Sequence, residues 1–374
     1  MSNANTRVVV AMSGGVDSSV AAALLVEQGY DVIGMMMRLW SEETVDSGAH
    51  NRCCTPEQMS DARRIADSLG IPFYVLDTKD VFRNTVVEYF IEQHRQSFTP
   101  NPCMECNRHI RFTWLLNNAL ALDADYLATG HYARVSKVDN GEVLLKKGLD
   151  DSKDQSYVLS VLTQEKLRHA MFPIGEYPKT EVRKLAEKFG LPTASKQDSQ
   201  DLCWLGDGDY RRFLVDYAPD VMKSGPIVLT NGEVIGEHGG LANYTIGQRK
   251  GLGVSYDSPL YVIATNPYRN ALIVGTRDLL GQDTLTAKRV TWVSDNAPTE
   301  AFNAEVKIRY KAKPVSAWVE PLDDDRIAVK FDEPLRDITP GQGAVLYKGD
   351  VVLGGGVIER QKTTAPPSSN ISLT

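Results

Sequence analysis

Residues 7–19 read RVVVAMSGGVDSS, and no other stretch restricts the fold as much. An apolar, β-branched run ends in two glycines, and VDSSVAAALLVEQG then continues with the small and aliphatic residues of a buried helix. A strand that turns through glycine into a helix presents backbone N–H groups at the positive end of the helix dipole, which makes an anion site. Glycines let the backbone approach the ligand, and serine hydroxyls add donors. The loop Ser13-Gly14-Gly15-Val16-Asp17-Ser18-Ser19 is not a Walker A loop, because no Gly-Lys-Ser/Thr follows, and it is not GxGxxG. Without that lysine, the local sequence places nothing to hold β- and γ-phosphates for γ-phosphoryl transfer. A bare glycine-rich turn is the competing reading, but the loop concentrates Ser, Gly and Asp where phosphates bind.

The next elements continue the alternation. Residues 31–37 form a second apolar run, and Thr55-Pro56-Glu57-Gln58 sets an N-cap, a first-turn proline and a capping-box glutamine for a helix to about Leu69. Residues 71–77 predict a third strand and a helix of about fifteen residues follows from Val81, while 108–122 read as helix. Residues 125–135 read as one strand, leading to a hairpin tip at Asp139-Asn140-Gly141. Strand–loop–helix–strand implies a parallel sheet with right-handed crossovers. After about Gly225, short β-branched runs separated by Gly, Asn and Pro take over, and from about Leu285 they predict an antiparallel barrel or sandwich. The expected fold is α/β: a catalytic unit over 1–212, a small mostly-β unit over 213–280, and a β-barrel over 281–362. Residues 363–374 read as a disordered tail.

The 374 residues suit two or three domains. The beginning, MSNANTRVVVAMSGG, lacks the pattern of a signal peptide, and no window is apolar enough for a membrane helix. Five cysteines, an odd number, argue against a disulfide framework and for a reducing, cytoplasmic setting. A net charge of −7 weighs against wholesale nucleic-acid binding yet leaves room for local basic faces. Arg108/Arg111, Lys146/Lys147/Lys153, Arg211/Arg212, Arg249/Lys250 and Arg309/Lys311/Lys313 are such clusters, although each taken singly reads as solvated surface.

Cys53-Cys54 is an adjacent pair that reads as structural. Cys103 and Cys106 lie in TPNPCMECN (99–107), and Cys203 lies in DSQDLCW (198–204). These segments, together with SGGVDS, Met37, GHYAR (130–134), KDQSYVL (153–159), YTIGQRKGLG (244–253), Arg309-Tyr310 and TPGQ (339–342), occur in order along nearly the whole chain. In this the chain closely resembles the tRNA-specific 2-thiouridylases, and SGGVDSS resembles the PP-loop of ATP pyrophosphatases. The resemblance implies an adenine nucleotide alpha hydrolase-like first domain with ATP and Mg²⁺ as requirements. It implies ATP contacts at Ala11, Met12, Ser13, Gly14, Gly15, Val16, Asp17, Ser18, Met37 and Gly130, with Asp17 helping to hold Mg²⁺.

The resemblance further implies that Cys203 carries a persulfide received from a sulfur-relay donor protein, with Cys106 as its partner thiol. Cys106 would free hydrosulfide from Cys203 or resolve the product as a Cys106–Cys203 disulfide. Either route needs a thiolate, for which Arg108 and the following helix start are candidates. A target-base pocket is implied at Asn101, Pro102 and Cys103. Position 103 departs from the family pattern, where many relatives have Asp; a thiol hydrogen-bonds weakly and cannot copy a carboxylate. Either Cys103 acts as a thiolate or the role passes elsewhere, for example to Glu105. RNA contacts are implied at His131, Lys153, Asp154, Gln155, Arg309, Tyr310 and Gln342, with a flipped wobble base in the pocket.

Four other readings stay open. A zinc ribbon lacks a second CxxC or His pair. A [4Fe–4S] cluster on Cys103, Cys106 and Cys203 is chemically admissible. A small-molecule PP-loop synthetase would leave the β-rich units without a role, and an ATP-gated RNA-binding protein would make the cysteines dispensable.

Overall fold

The strand that opens the chain, β1 (Arg7–Ala11), is followed by β2 (Asp31–Arg38), β3 (Phe73–Asp77), β4 (Tyr126–Thr129), the hairpin β5 (Ala133–Lys137) and β6 (Val143–Lys147), and β7 (Ala170–Met171). In the computed structural model, which describes residues 3–42, 55–194, 196, 202–323 and 325–361, the first sheet runs β3-β2-β1-β4-β7 with every pairing parallel. Val8, Val9 and Val10 are wholly buried, as a central parallel strand covered on both faces requires. Helix α1 (Val16–Glu27) covers one face and is buried along most of its length, which its run of alanines permits by letting it approach the sheet closely. Helix α2 (Pro56–Leu69) starts as the sequence predicts: Thr55 Oγ1 accepts from the Gln58 N–H at 3.2 Å, and Gly70 closes it at φ 68°.

The single strand expected over 125–135 is two strands in two different sheets. β4 stays in the parallel sheet, while β5 pairs with β6 in register Ala133↔Lys147 to Lys137↔Val143. The chain turns between them because Gly130 lies against the backbone of Asp17 and Ser18, where α1 begins. The one local sign of this turn is Gly130 itself, which interrupts the apolar run before His131.

The helix expected from Val81 spans Lys79–Phe82, a π-helical turn Arg83–Val87 and Glu88–Arg95. A second π-helix, Cys106–Leu115, begins at one of the thiols; such widened turns are frequent at functional sites.

Past the first domain come β8 (Gly225–Leu229), β9 (Val234–His238), β10 (Tyr261–Asn266) and β11 (Ala271–Gly275), in the order β10-β11-β8-β9 around a small core of Ile227, Val262, Leu272 and Val274. The last unit holds β12 (Gln282–Trp292), β13 (Phe302–Lys307), β14 (Val315–Leu322), β15 (Arg326–Leu335), β16 (Gly343–Lys348) and β17 (Val351–Ile358). β12 pairs with both β15 and β17, so these antiparallel strands close into a barrel and the sandwich alternative falls away. The β5–β6 hairpin extends the barrel sheet through Val351↔Lys146 and so ties the first domain to it. Among the described residues no helix is long and apolar enough to cross a membrane. Cys53, Cys54, part of the DSQDLCW segment and the 363–374 tail lie outside the described residues.

Candidate active site

The glycine-rich loop leaves β1 after Ala11 and enters α1 with extended Gly15 at its N-cap. Buried Met12 donates its N–H to Met35 O at 2.7 Å and buried Val16 anchors the first helical turn. Inside the loop, the Ser13 N–H donates to Ser18 Oγ at 3.2 Å, and Ser19 Oγ donates to Gly15 O at 2.7 Å. Gly14 has φ +69°, and a Cβ there would fall 2.4 Å from Gln58 O on α2. Both facts restrict the position to glycine. Met37, at the end of β2, packs against both the core under the sheet and the cluster that holds the thiols.

The cations missing from the loop sequence arrive through the tertiary fold. Lys179, buried at the start of the helix Lys179–Lys188, sits 2.7 Å from Asp17 Oδ1, and the Tyr132 hydroxyl donates to the same oxygen at 2.7 Å. Lys196 Nζ donates to Gly14 O at 3.0 Å and lies 3.1 Å from Asp61 Oδ2. Burial opposes the Asp61 charge, but Arg64 and Lys196 outweigh it and hold the carboxyl below its ordinary value. Neither lysine carried a sequence signal, since each stands alone and far along the chain. A third-exposed Asp17 carboxylate at a helix N-terminus suits a hard cation, which takes oxygen ligands.

Two of the thiols, Cys106 and Cys203, belong to the cluster that Met37 packs against. Asn101 caps a short helix, Pro102–Glu105, by accepting from the Met104 N–H at 3.3 Å, and the chain passes directly into the π-helix at Cys106. Cys106 is buried and Cys203 half-buried, and both belong to one apolar cluster with Leu39, Phe82, Phe90 and Trp204. No disulfide joins them, and Cys103 is exposed. Burial raises the Tyr310 phenol, and Asp154 and Cys103 are both close enough to add to that shift.

Arg108, suggested as a thiolate stabiliser, and Glu105, suggested in place of the carboxylate missing at position 103, both have other partners. The Arg108 guanidinium donates to Thr291 Oγ1 in β12 at 2.9 Å, and burial lowers its pKa. Glu105 is buried against Arg289 at 2.9 Å and His109 at 3.3 Å. Burial opposes its ionisation, but His109 and Arg289 prevail and keep it below the ordinary range, which suits a structural anion better than a base. For a [4Fe–4S] cluster the three cysteines would have to converge. Among the described residues no group of three His, Cys, Asp or Glu gathers to hold a metal, so this arrangement does not fit one.

The residues expected to face RNA divide into three groups. His131 and Asp154 are buried. His131 Nδ1 lies 2.7 Å from Thr129 Oγ1, beside Phe112 and Phe172, and burial with nearby Arg111 pushes its pKa down to about 3. Asp154 accepts from the Gly148 and Ser156 N–H groups at 3.1 and 3.0 Å. Its turn needs those acceptors, which is why a charged residue is internal here. Gln155 and Gln342 act as clips: Gln155 Oε1 accepts from the Tyr132 N–H at 3.0 Å, and Gln342 Nε2 donates to Thr99 O at 2.8 Å. Half-buried Lys153, exposed Arg309 (paired with Asp337) and Tyr310 remain at the surface. Lys307, which no local sequence pattern marks, holds its ammonium 5.7 Å from the Tyr310 ring centroid and 3.9 Å from Asp154.

A strand–loop–helix anion site in a parallel sheet, followed by two β-rich units, defines a nucleotide-binding α/β protein with appended β domains. Family profiles match in the same order: a tRNA methyl transferase HUP domain over 6–207, a tRNA methyl transferase PRC-barrel domain over 211–276, and an aminomethyltransferase beta-barrel domain over 282–358. A tRNA-specific 2-thiouridylase MnmA of Caldanaerobacter subterraneus subsp. tengcongensis is 47% identical over 359 residues, covering 96% of this chain and 99% of that protein. The Symbiobacterium thermophilum MnmA is 49% identical over 359 residues, covering 95% and 92%. The chain belongs to the tRNA-specific 2-thiouridylase family. Among solved structures, the U34-tRNA thiolase NcsA from Methanococcus maripaludis with its [4Fe-4S] cluster matches 59% of this chain and 69% of its own at 21% identity. Its TM-score of 0.34 is too low to support any inference.

Proposed function

We propose that this protein is a tRNA sulfurtransferase that uses ATP to replace the C2 oxygen of a wobble uridine with sulfur, releasing AMP and pyrophosphate. The C2 carbonyl of uracil is amide-like and a poor electrophile. Attack of its oxygen on the α-phosphorus of ATP expels pyrophosphate and turns O2 into part of an AMP leaving group. The N–H groups at the start of α1 and the ammonium groups of Lys179 and Lys196 would meet the charge that develops on the pyrophosphate. Asp17 would help hold Mg²⁺, which when bound neutralises part of that charge.

Sulfur arrives as a persulfide on Cys203, loaded by a sulfur-relay donor protein. In one order the Cys106 thiolate attacks the inner sulfur, giving a Cys106–Cys203 disulfide and hydrosulfide, and hydrosulfide displaces AMP from C2. In the other the outer sulfur displaces AMP, and Cys106 then attacks Cys203 to release the thiolated base. Both end in the same disulfide, which external thiol must reduce before the next turnover. Residues 1–212 carry this chemistry, and 213–280 with 281–362 hold the anticodon region through shape and phosphate contacts. Asn101, Pro102 and Cys103 line the base pocket.

The observation that carries the reading is the shared cluster: Cys106 and Cys203, far apart in sequence, pack together with Met37 beside the ends of the strands that bear the loop. In a single-turnover assay with persulfide-loaded enzyme, ATP and tRNA, Cys203→Ala should abolish thiolation and Cys106→Ser should stop product release. Unchanged thiolation in either variant would refute the proposed roles.

A further inference from the structure

Two side chains of the thiol-bearing segment, Glu105 and Arg108, meet one kink of the barrel. Arg289 in β12 has φ +55°, in the left-handed region that long L side chains rarely occupy, and the β12–β17 register shifts between Lys288 and Thr291. Two side chains at the kink meet the first domain. Arg289 Nη2 donates to Glu105 Oε2 at 2.9 Å, and its guanidinium lies 5.6 Å from the Tyr89 ring centroid. Thr291 Oγ1 accepts from Arg108 at 2.9 Å. On the other side of the segment, Lys166 Nζ donates to Arg108 O at 3.1 Å and to Thr113 Oγ1 at 2.7 Å.

This arrangement is costly in three ways. It buries a carboxylate, it holds a non-glycine residue in a sparsely populated conformation, and it leaves the buried Arg108 Nε without a hydrogen-bond partner among the described residues. A barrel that needed only to close its sheet would put glycine, or a regular pair, at position 289. Bulges beside active sites commonly re-aim a side chain, and Glu105, at the end of this contact, is the residue next to Cys106.

We propose that Arg289 and Glu105 are positioning residues for sulfur transfer: the kink in β12 fixes the turn carrying Cys103 and Cys106, so that RNA held by the barrel and the thiols of the first domain share one register. The inference rests on the thiolation reading above. Neither residue acts on the reacting atoms; both act through the placement of Cys106.

The test uses the full-length protein with Arg289→Gly, Arg289→Lys and Glu105→Gln. Glycine tolerates φ +55°, so Arg289→Gly removes the guanidinium and relieves the backbone together, and Glu105→Gln keeps the shape of the contact if that variant fails to fold. The measurements are tRNA Kd, kcat and KM for thiolation, and the peptide-resolved rate of Cys106 alkylation by iodoacetamide. Arg289→Gly should lower kcat about tenfold or more, leave Kd and KM within about threefold, and speed Cys106 alkylation about tenfold. Glu105→Gln should shift the same readouts in the same direction, and Arg289→Lys should recover part of the loss. Unchanged kcat and alkylation would overturn the inference, and so would a loss confined to Kd, which would make Arg289 an RNA contact instead. Alkylation needs neither ATP nor RNA, so it reports on positioning even if the wild-type protein thiolates no tRNA, an outcome that would defeat only the functional reading.

Discussion

Gly130 supports the nucleotide loop from below, and replacing it with alanine tests that support with one added methyl group. Its φ lies outside the left-handed region that favours glycine, so the effect of Gly130→Ala is steric. A Cβ there would sit 2.7 Å from Ser18 N and 2.8 Å from Asp17 C, about 0.7 Å short of the 3.4 Å at which ordinary van der Waals contact begins. Both neighbours are backbone at the N-terminus of α1, so no side chain can swing aside and the loop itself must shift. Overpacking of this kind costs about 1–3 kcal/mol of stability. The displaced N–H groups are those expected to meet the phosphates, and a misplacement approaching 1 Å costs up to about a hundredfold in the step it serves. Titration calorimetry with a non-hydrolysable ATP analogue should show affinity down about tenfold or more. Thermal melts should show the stability loss, while Gly239→Ala, with nothing within 4 Å of its Cβ, should change neither. Wild-type affinity and melting temperature in Gly130→Ala would refute the claim that Gly130 braces the loop.

Three further outcomes follow from the same geometry. Lys179→Met removes the buried ammonium from Asp17 and should weaken binding of the ATP analogue about tenfold, with about 1–3 kcal/mol of stability lost in urea melts; an unchanged binding isotherm would count against a phosphate-side role. Burial holds His131 down to about 3 and His94 down to about 4, from 6.5 in the unfolded chain. The unfolded chain therefore takes up those protons first, so stability is full above pH 6.5 and falls as pH drops toward 4. By pH 5 the loss is about 2 kcal/mol per histidine, and His131→Gln should remove its share of that slope. Finally, tRNA affinity should fall steeply with added salt despite the net charge of −7, and a Kd flat across salt would remove phosphate contacts from the account.

What the sequence made legible was local chemistry. The loop, the Thr55 capping box, the hairpin tip at Asn140 and the β-rich second half all depend on neighbours within a few residues, and the structure has them. Lys179, Lys196, Lys307 and Arg289 reach the site only through long-range packing, and a lone basic residue leaves no mark in a pattern. The split at Gly130 had only the glycine as a local mark, and what makes it a turn is its close approach to the start of α1, a long-range contact. His131 and Asp154 were expected to face RNA, and both are buried. Their immediate neighbours gave no hint of this, because burial of a polar side chain depends on acceptors and donors supplied from elsewhere.

The central claim is that O2 of the uridine leaves with AMP and that cysteine-borne sulfur replaces it. The most direct test gives the enzyme a tRNA whose wobble uridine carries a heavy-oxygen label at O2, with ATP, Mg²⁺ and persulfide-loaded Cys203, and follows the label by mass spectrometry. The account predicts one labelled oxygen in the phosphate of AMP for each 2-thiouridine formed. Unlabelled AMP, or ADP as the nucleotide product, would contradict it.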